Sequence, residues 1–482
     1  MSLAPVTGAG DMVIRMSRIC DHPNRDGRTR CVNVVSDWLD HCEAGHPCPA
    51  ITGAASRALD ASASQTLEID DLVRAPIGDA VSARLRGLVD HPTVGELTEA
   101  FGQEGEELYV VGGSVRDVFE GGSFKDLDFC TSAAVEVIER IAGALRCPVW
   151  TTGREFGTIG LQIGADKVEV TRFRSEEYDP ESRKPMVRAG HSIYEDLWRR
   201  DFTINAMAVD VFTGELVDPF GGHRDLEARL LRTPGPPERT VVEDPLRSLR
   251  AVRFHAVMES MELDEALGEA IARNVRRLEI VSRERKTAEL VRILSAGGAS
   301  VVRAAGCAER LGVTAHLFGD LEPCGDAVRR LGTIGEKMTM TDALAVFAQD
   351  VPERARAALA DLRIPSAEAA RALDVASVGS ILRERISRSQ ARHLIRRYDD
   401  AVLASALRVN RDAIGADQLW GEIRAGVDAA RRPLPITGYD LVTAGLSGRS
   451  VGIALRAVEA RLLEDDELTR EEALGVALDA VA

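Results

Sequence analysis

The sequence predicts an α+β protein in which short strands alternate with helices in the front half and helices alone follow. Three observations predict it. Apolar runs of strand length, punctuated by glycine, lie between residues 108 and 172. From residue 242 onward the apolar spacing is helical throughout. Hydrophobic residues make up 45% of the chain but aromatic ones only 4%, which favours helices packed by aliphatic side chains. With 482 residues one core is excluded, and a prior of about 150 residues per domain suggests roughly three or four domains.

The chain is organised around residues 108–131, LYVVGGSVRDVFEGGSFKDLDFCT. Leu108, Tyr109, Val110 and Val111 predict a strand, Gly112 and Gly113 a turn, and Ser114-Val-Arg-Asp117 the opening of a helix. Glycine has no Cβ, so backbone N–H groups at such a turn approach a phosphate closely, and the helix start favours anions. A second strand carries Asp126 and Asp128. Side chains two apart on a strand point the same way, so both carboxylates converge on one spot and can hold divalent ions. Asp-x-Asp alone is common in turns and solvated edges. The ordered set Gly-Gly-x-Val-Arg-Asp, then Lys-Asp-Leu-Asp, is much rarer. It resembles the nucleotidyltransferase superfamily, and within it the class II tRNA nucleotidyltransferases (CCA-adding enzymes) and bacterial poly(A) polymerases.

Composition narrows the other possibilities. A net charge of −16 does not favour nucleic acid, so any RNA contact needs a local basic surface. No apolar run of about 18 residues exists to span a membrane. The first residues lack a basic start followed by an apolar stretch, so a reducing cytoplasm is expected rather than secretion. The eight cysteines then read as free thiols or metal ligands, not disulfides. Cys20, Cys31, Cys42 and Cys48 cluster with His22, His41 and His46, a density that suits a structural zinc site. Paired Cys-x-x-Cys knuckles are missing, so an extension with free thiols is the alternative. Residues 51–66, rich in Ala and Ser, read as a linker.

Taken in order, residues 77–102 predict one or two helices through Val81, Leu85, Leu88, Val89, Val94 and Leu97. Residues 130–132 predict the cap of a helix over 133–145. Residues 157–163 and 167–172 predict a hairpin turning at Gly164-Ala-Asp166. Glu169 stands between two valines of the second strand, where burial is costly without a cation; the alternative is a surface-facing glutamate. Residues 174–196 are polar and predict a mobile loop. In Arg199-Arg-Asp-Phe-Thr-Ile-Asn-Ala206, Asp201 and Asn205 are spaced to share a helix face. Asp218-Pro-Phe-Gly-Gly222 predicts a turn, either a hinge or a hairpin end. Asp244 and Pro245 suit a helix start, with Arg247 on the same face as Asp244. Arg383, Arg385, Arg388, Arg392, Arg396 and Arg397 stand against one acid, Glu384: a stripe for RNA phosphates, or a solvated face with partners elsewhere. Near the end, Gly445 and Gly448 follow Thr437-Gly-Tyr-Asp-Leu441 and suit a backbone phosphate.

The resemblance is dense over residues 108–294, loose beyond, and moderate from 434. It implies a nucleotidyltransferase head with a small mixed β-sheet at 76–235, behind a Cys/His-rich extension at 1–75 with possible Zn²⁺. A helical neck at 236–300, a helical body at 301–430 and a tRNA-binding tail at 431–482 follow. It implies template-independent addition of C and A to the tRNA 3′ end from CTP and ATP, by a two-metal mechanism. Mg²⁺ on Asp126 and Asp128, with Glu169 as third carboxylate, would serve catalysis. Gly112, Gly113 and Arg116 would hold the triphosphate, and Arg200, Asp201 and Asn205 belong to the block tied to ribose recognition. Asp244 and Arg247, with Arg250 in the same block, would read the base. An acceptor beside an arginine fork meets the pairing edges of both C and A if their tilt changes.

The rivals are a poly(A) polymerase, an enzyme restricted to C or to A, a transferase acting on a small acceptor, and a non-catalytic RNA-binding protein. The Gly-x-x-Gly tail argues against the first, and the intact Asp pair, two like charges held close, against the last. Three features depart from the family pattern: a front extension, a less basic gap over residues 119–124, and no His-Asp phosphohydrolase module, so no second hydrolytic activity is expected.

Overall fold

A computed structural model of the chain describes residues 79–122, 127–177, 186–189, 192–321, 323, 325–334, 338–425, 431–464 and 467–482. The Cys/His-rich segment with its zinc expectation, the linker at 51–66 and Asp126 lie outside the described residues. The chain divides into two units, Met1–Arg247 with Ser260–Asn274, and Ser248–Glu259 with Val275–Ala482.

Among the described residues the first unit opens with α1 (Asp79–Val89) and α2 (Pro92–Glu104). Pro92 opens α2 where its missing N–H costs nothing, and Gly105 closes it in the left-handed conformation. The chain continues through β1 (Leu108–Val111), α3 (Gly113–Glu120), β2 (Leu127–Thr131), α4 (Val135–Leu145), β3 (Val149–Trp150), β4 (Thr158–Ile163) and β5 (Asp166–Arg172). After a separate hairpin, β6 (Arg174–Glu177) and β7 (Met186–Ala189), come α5 (Ile193–Trp198), a 3-10 turn (Thr203–Asn205), β8 (Ala208–Asp210), β9 (Leu216–Val217) and α6 (Gly222–Glu227).

The main sheet runs β3-β4-β5-β2-β1-β8-β9. Among the described strands of this sheet only β2 and β5 pair in parallel, so the sheet is mixed. Alternation decides its two faces. Leu108, Val110, Leu127, Phe129, Val168 and Val170 join one core with Leu85, Leu97, Phe101 and Ile138 of the covering helices. Each such side chain contributes roughly 1.5–3 kcal/mol by leaving water. On the other face Val111, Cys130, Phe173, Leu197, Ala206, Ala208 and Phe220 form a second, smaller cluster. That cluster covers the Cys130 end of β2 and leaves Asp128 exposed.

Three local expectations are corrected. The helix expected from residue 133 starts at Val135, because the Ser132 hydroxyl donates to Glu106 (2.6 Å) and accepts from the Glu107 N–H (2.8 Å) instead of capping. The loop expected at 174–196 contains the β6–β7 hairpin and the start of α5, whose charged sequence hides its period. Asp201 and Asn205 do not share an α-helix; the turn between them is 3-10, and they meet directly instead.

The rest of the first unit holds β10 (Leu230–Leu231), paired in parallel with β11 (Glu262–Leu263), plus α7 (Pro237–Glu243) and a helix at Glu265–Arg273. Between them α8 (Leu246–Val257) carries Leu246 and Arg247 in this unit and its remaining residues in the second.

The second unit is helical among the described residues. Capping boxes set four of its helix starts, at Thr339/Asp342, Ser387/Gln390, Thr437/Asp440 and Thr469/Glu472, each cap contributing about 1 kcal/mol. Ile436, Leu441, Ala454, Val458, Ala473 and Ala477 pack its last helices together. The arginine stripe is largely paired within the protein: Arg388 and Arg392 with Glu422, Arg396 with Glu459, and Arg383 with Asp350. Among the described residues no helix is long and apolar enough to cross a membrane.

Candidate active site

The parallel register of β2 and β5 pairs Asp128 with Glu169. Both carboxylates are exposed on the same face, between buried neighbours that point the other way. The antiparallel register of β1 on β2, with Val110 opposite Phe129, brings the end of β1 and the Gly112 turn alongside Asp128. Sheet pairing alone therefore assembles a carboxylate pair and a glycine turn side by side. Among the described residues no three acids, histidines or cysteines cluster as a complete metal site, and Asp126 is not among them.

Gly112 has φ +71°, a conformation that side chains rarely adopt, and its N–H donates to the Met207 carbonyl at 3.2 Å. One turn into α3, Arg116 donates to Asn205 Oδ1 (2.8 Å) and to Asp117 Oδ1 (2.9 Å). Asn205 in turn donates to Asp201 Oδ1 (3.0 Å), which also accepts from the Phe202 N–H (2.8 Å). Arg116, Asn205 and Asp201 thus form one hydrogen-bonded chain across the site, although 85 residues separate Arg116 from Asp201. Behind it Asp218 accepts from the N–H groups of Gly222 and His223 and from the His223 ring (2.6 Å), fixing the start of α6. A Cβ on Gly222 would lie 2.1 Å from the Thr203 carbonyl oxygen, so only glycine lets α6 approach the turn that carries Asn205.

Arg200 is turned inward. Its guanidinium donates to Asp196 (3.0 Å), to the Cys130 sulfur (3.4 Å) and to the Asn205 carbonyl (3.5 Å). Burial alone would raise the Asp196 pKa, but Arg200, Arg199 and the Cys130 thiol together hold it below the ordinary aspartate value. Burial, then the Asp196 charge, pushes the Cys130 thiol far up, so it stays protonated and donates to Asp196 at 3.2 Å. Sequence reading passed over Asp196. The available signal was an acid four residues before Arg200, behind a Ser192 cap, which is the spacing of a helical ion pair.

At the start of α8, Asp244 Oδ1 accepts from the Leu246 N–H at 3.2 Å, as the cap reading expects. Arg247 is 9% exposed and spends its fork on main-chain carbonyls, Nη2 on Arg199 and Nη1 on Thr240. It is thereby tied to the residue preceding Arg200 and Asp201. Arg250 lies in the second unit, 3.8 Å from buried Glu289, which Arg253 also meets at 2.5 Å.

Residues 108–232 match the family described as poly(A) polymerase head domain. The CCA-adding enzyme of Bacillus licheniformis is 33% identical over 393 residues, 78% of this chain and 95% of that protein. That of Bacillus subtilis is 40% identical over 193 residues, 40% of this chain and 47% of that protein. Among solved structures, the Bacillus stearothermophilus CCA-adding enzyme in complex with CTP aligns with a TM-score of 0.63 at 25% identity, over 81% of this chain and 97% of that one. The Thermotoga maritima CCA-adding enzyme complexed with tRNA aligns with a TM-score of 0.61 at 22% identity, over 85% of this chain and all of that one, a likeness of fold.

Proposed function

We propose, starting from the fact that this chain belongs to the CCA-adding enzyme family, how its own residues carry out the addition of C and A to a tRNA 3′ end. The chain is a nucleotidyltransferase: the 3′-hydroxyl attacks the α-phosphate of CTP or ATP, and pyrophosphate leaves. The observation that carries the assignment of residues is the register that sets exposed Asp128 beside exposed Glu169, next to the Gly112 turn. Magnesium fits this donor set, since carboxylate oxygens on an open face suit a hard cation that keeps part of its water. Asp128, with Glu169 beside it, would hold it together with Asp126 of the same motif. When bound it lowers the hydroxyl's pKa and offsets charge on the attacking and leaving oxygens.

Gly112, Gly113 and Arg116 hold the triphosphate, with Arg200 supporting the turn from beneath. Asp201 and Asn205, already linked to Arg116, accept and donate toward the ribose hydroxyls and favour a ribonucleotide. Asp244 and Arg247 read the base. In this reading residues 76–235 are the head, 236–300 the neck, 301–430 the body and 431–482 the tRNA-binding tail. Positive φ at Gly445 and Gly448 supports close approach of the tail to an RNA backbone. We infer a cytoplasmic location from the substrates, tRNA and free nucleotides.

The head-domain match alone also fits a poly(A) polymerase. Identity extending over 95% of a CCA-adding enzyme favours CCA addition. The test offers tRNA ending before CCA, after C and after CC, with CTP and ATP separately, and sizes the products. C joins the first two ends and A only the third. A long A tail, or no addition to any end, overturns the reading.

A further inference from the structure

The assignment of the glycine turn as the triphosphate seat leaves one buried group beneath it unused. Asp196 is 2% exposed and lies on α5, a helix that carries no residue of the nucleotide block. Its carboxylate gathers two donors and a further cation: Arg200 at 3.0 Å and the Cys130 thiol at 3.2 Å donate to it, and the Arg199 guanidinium pairs with it at 3.6 Å. Each of them leads to a different part of the site. Cys130 is on β2, two residues from Asp128 and on the same face. Arg199 offers its carbonyl to Arg247. Arg200 reaches the Asn205 carbonyl, and its Nη1 lies 2.8 Å from where a Cβ on Gly112 would stand, so the guanidinium fills the space under the turn.

We propose that Asp196 is a positioning residue for nucleotidyl transfer, acting through Arg200. Its carboxylate holds the guanidinium against the underside of the Gly112 turn, which fixes the spacing between the triphosphate seat and the Asp128 strand. The inference rests on the reading given under Proposed function. An unanchored Arg200 leaves the turn without its floor, and a triphosphate displaced by as little as an ångström loses alignment with the attacking hydroxyl. Arg247 meets this contact set through the main-chain carbonyl of Arg199, which a change in the Asp196 side chain leaves in place, so C-versus-A choice and tRNA affinity are expected to stay as they are.

The test uses the full chain, tRNA lacking CCA, and steady-state titrations of CTP and ATP. Asp196→Asn raises KM for both nucleotides by the same factor and lowers kcat/KM for both by roughly 10- to 100-fold, with KM for tRNA and the C:A ratio unchanged. A scaffold role alone lowers the amount of active enzyme and so reduces kcat while leaving nucleotide KM in place; that result overturns the proposal. Because Asp196 acts through Arg200, Asp196→Asn combined with Arg200→Gln is no worse than Arg200→Gln alone, and additive losses overturn it. Should Asp196→Asn fail to fold, Arg200→Lys keeps the ion pair but removes the fork, and an unchanged nucleotide KM in that variant is equally contrary. Wild-type turnover separates the two readings. An inactive wild type removes the proposed function and this inference with it, whereas an active wild type with indifferent variants removes this inference only.

Discussion

Glu169 and Arg247 carry the sharpest expectations for single residues. Glu169→Gln keeps the shape of an exposed strand residue and removes a charge beside Asp128, so the fold persists while the transfer rate falls by roughly 10- to 100-fold. Single-turnover addition of one C checks it, and a rate equal to wild type would remove Glu169 from the site. Arg247→Ala blurs the choice of C against A. It also leaves the Arg199 and Thr240 carbonyls without their donor, so thermal stability drops by about 1–3 kcal/mol as well. Misincorporation of A after the first C reports the former, and a uniform slowing with selectivity intact counts against base reading. At this scale legibility follows from period. The outward face of Asp128 follows from a strand's two-residue repeat; Glu169 stands exposed, as the surface-facing alternative had it, and the helix face expected for Asn205 is replaced by a 3-10 turn. Asp196 was not legible, because an acid four residues from an arginine looks the same in sequence whether exposed or 2% exposed. Asn205 pairing with Arg116 was equally invisible, since nothing in a sequence measures a contact across so many residues.

Single elements place the site through close approaches that only glycine allows. Gly222→Ala forces α6 away from the Thr203–Asn205 turn, because the obstructing atom is a backbone oxygen that cannot rotate aside. Stability falls by about 1–3 kcal/mol, and the nucleotide KM rises as Asn205 shifts. A thermal melt together with a CTP titration tests both, and an unaltered melt would show that α6 yields to the methyl group without cost. The hairpin β4–β5 was plain in the sequence because two apolar-alternating runs flank Gly164. The β6–β7 hairpin and α5 were not, since β6 reads Arg-Ser-Glu-Glu without alternation and α5, six residues long, is too short to show a period. The break of the predicted helix after Asp201 arose from competition. Asp201 Oδ1 takes the Phe202 N–H and the Asn205 amide, and that local bonding displaces a helical ladder.

At the scale of the whole molecule, a dependence on pH belongs to the second unit. In the second unit burial, then the charge of Lys286 and that of Arg283, lowers the His316 pKa, with Glu279 opposing. The unfolded chain binds a proton near pH 6.5 that the folded one resists, so stability is complete above that pH and declines as pH falls below it. Melting curves between pH 7.5 and 5.5 should show the decline, reduced in His316→Gln; an equal slope in both would place the sensitivity elsewhere. Net charge had suggested a weak RNA binder unless a basic stripe compensated. That stripe spends most of its charge on Glu422, Glu459 and Asp350, a pairing between segments that local sequence cannot reveal. The division at Arg247 was similarly hidden, because it falls inside the continuous helix α8.

The most direct check of the account is single-turnover C addition by Asp128→Asn with tRNA lacking CCA and magnesium present. Removing one exposed carboxylate leaves the melt unchanged and slows transfer by roughly a thousandfold, the equivalent of about 4 kcal/mol in the barrier. Addition at the wild-type rate would contradict it, for then the β2–β5 face is not where the nucleotide is transferred.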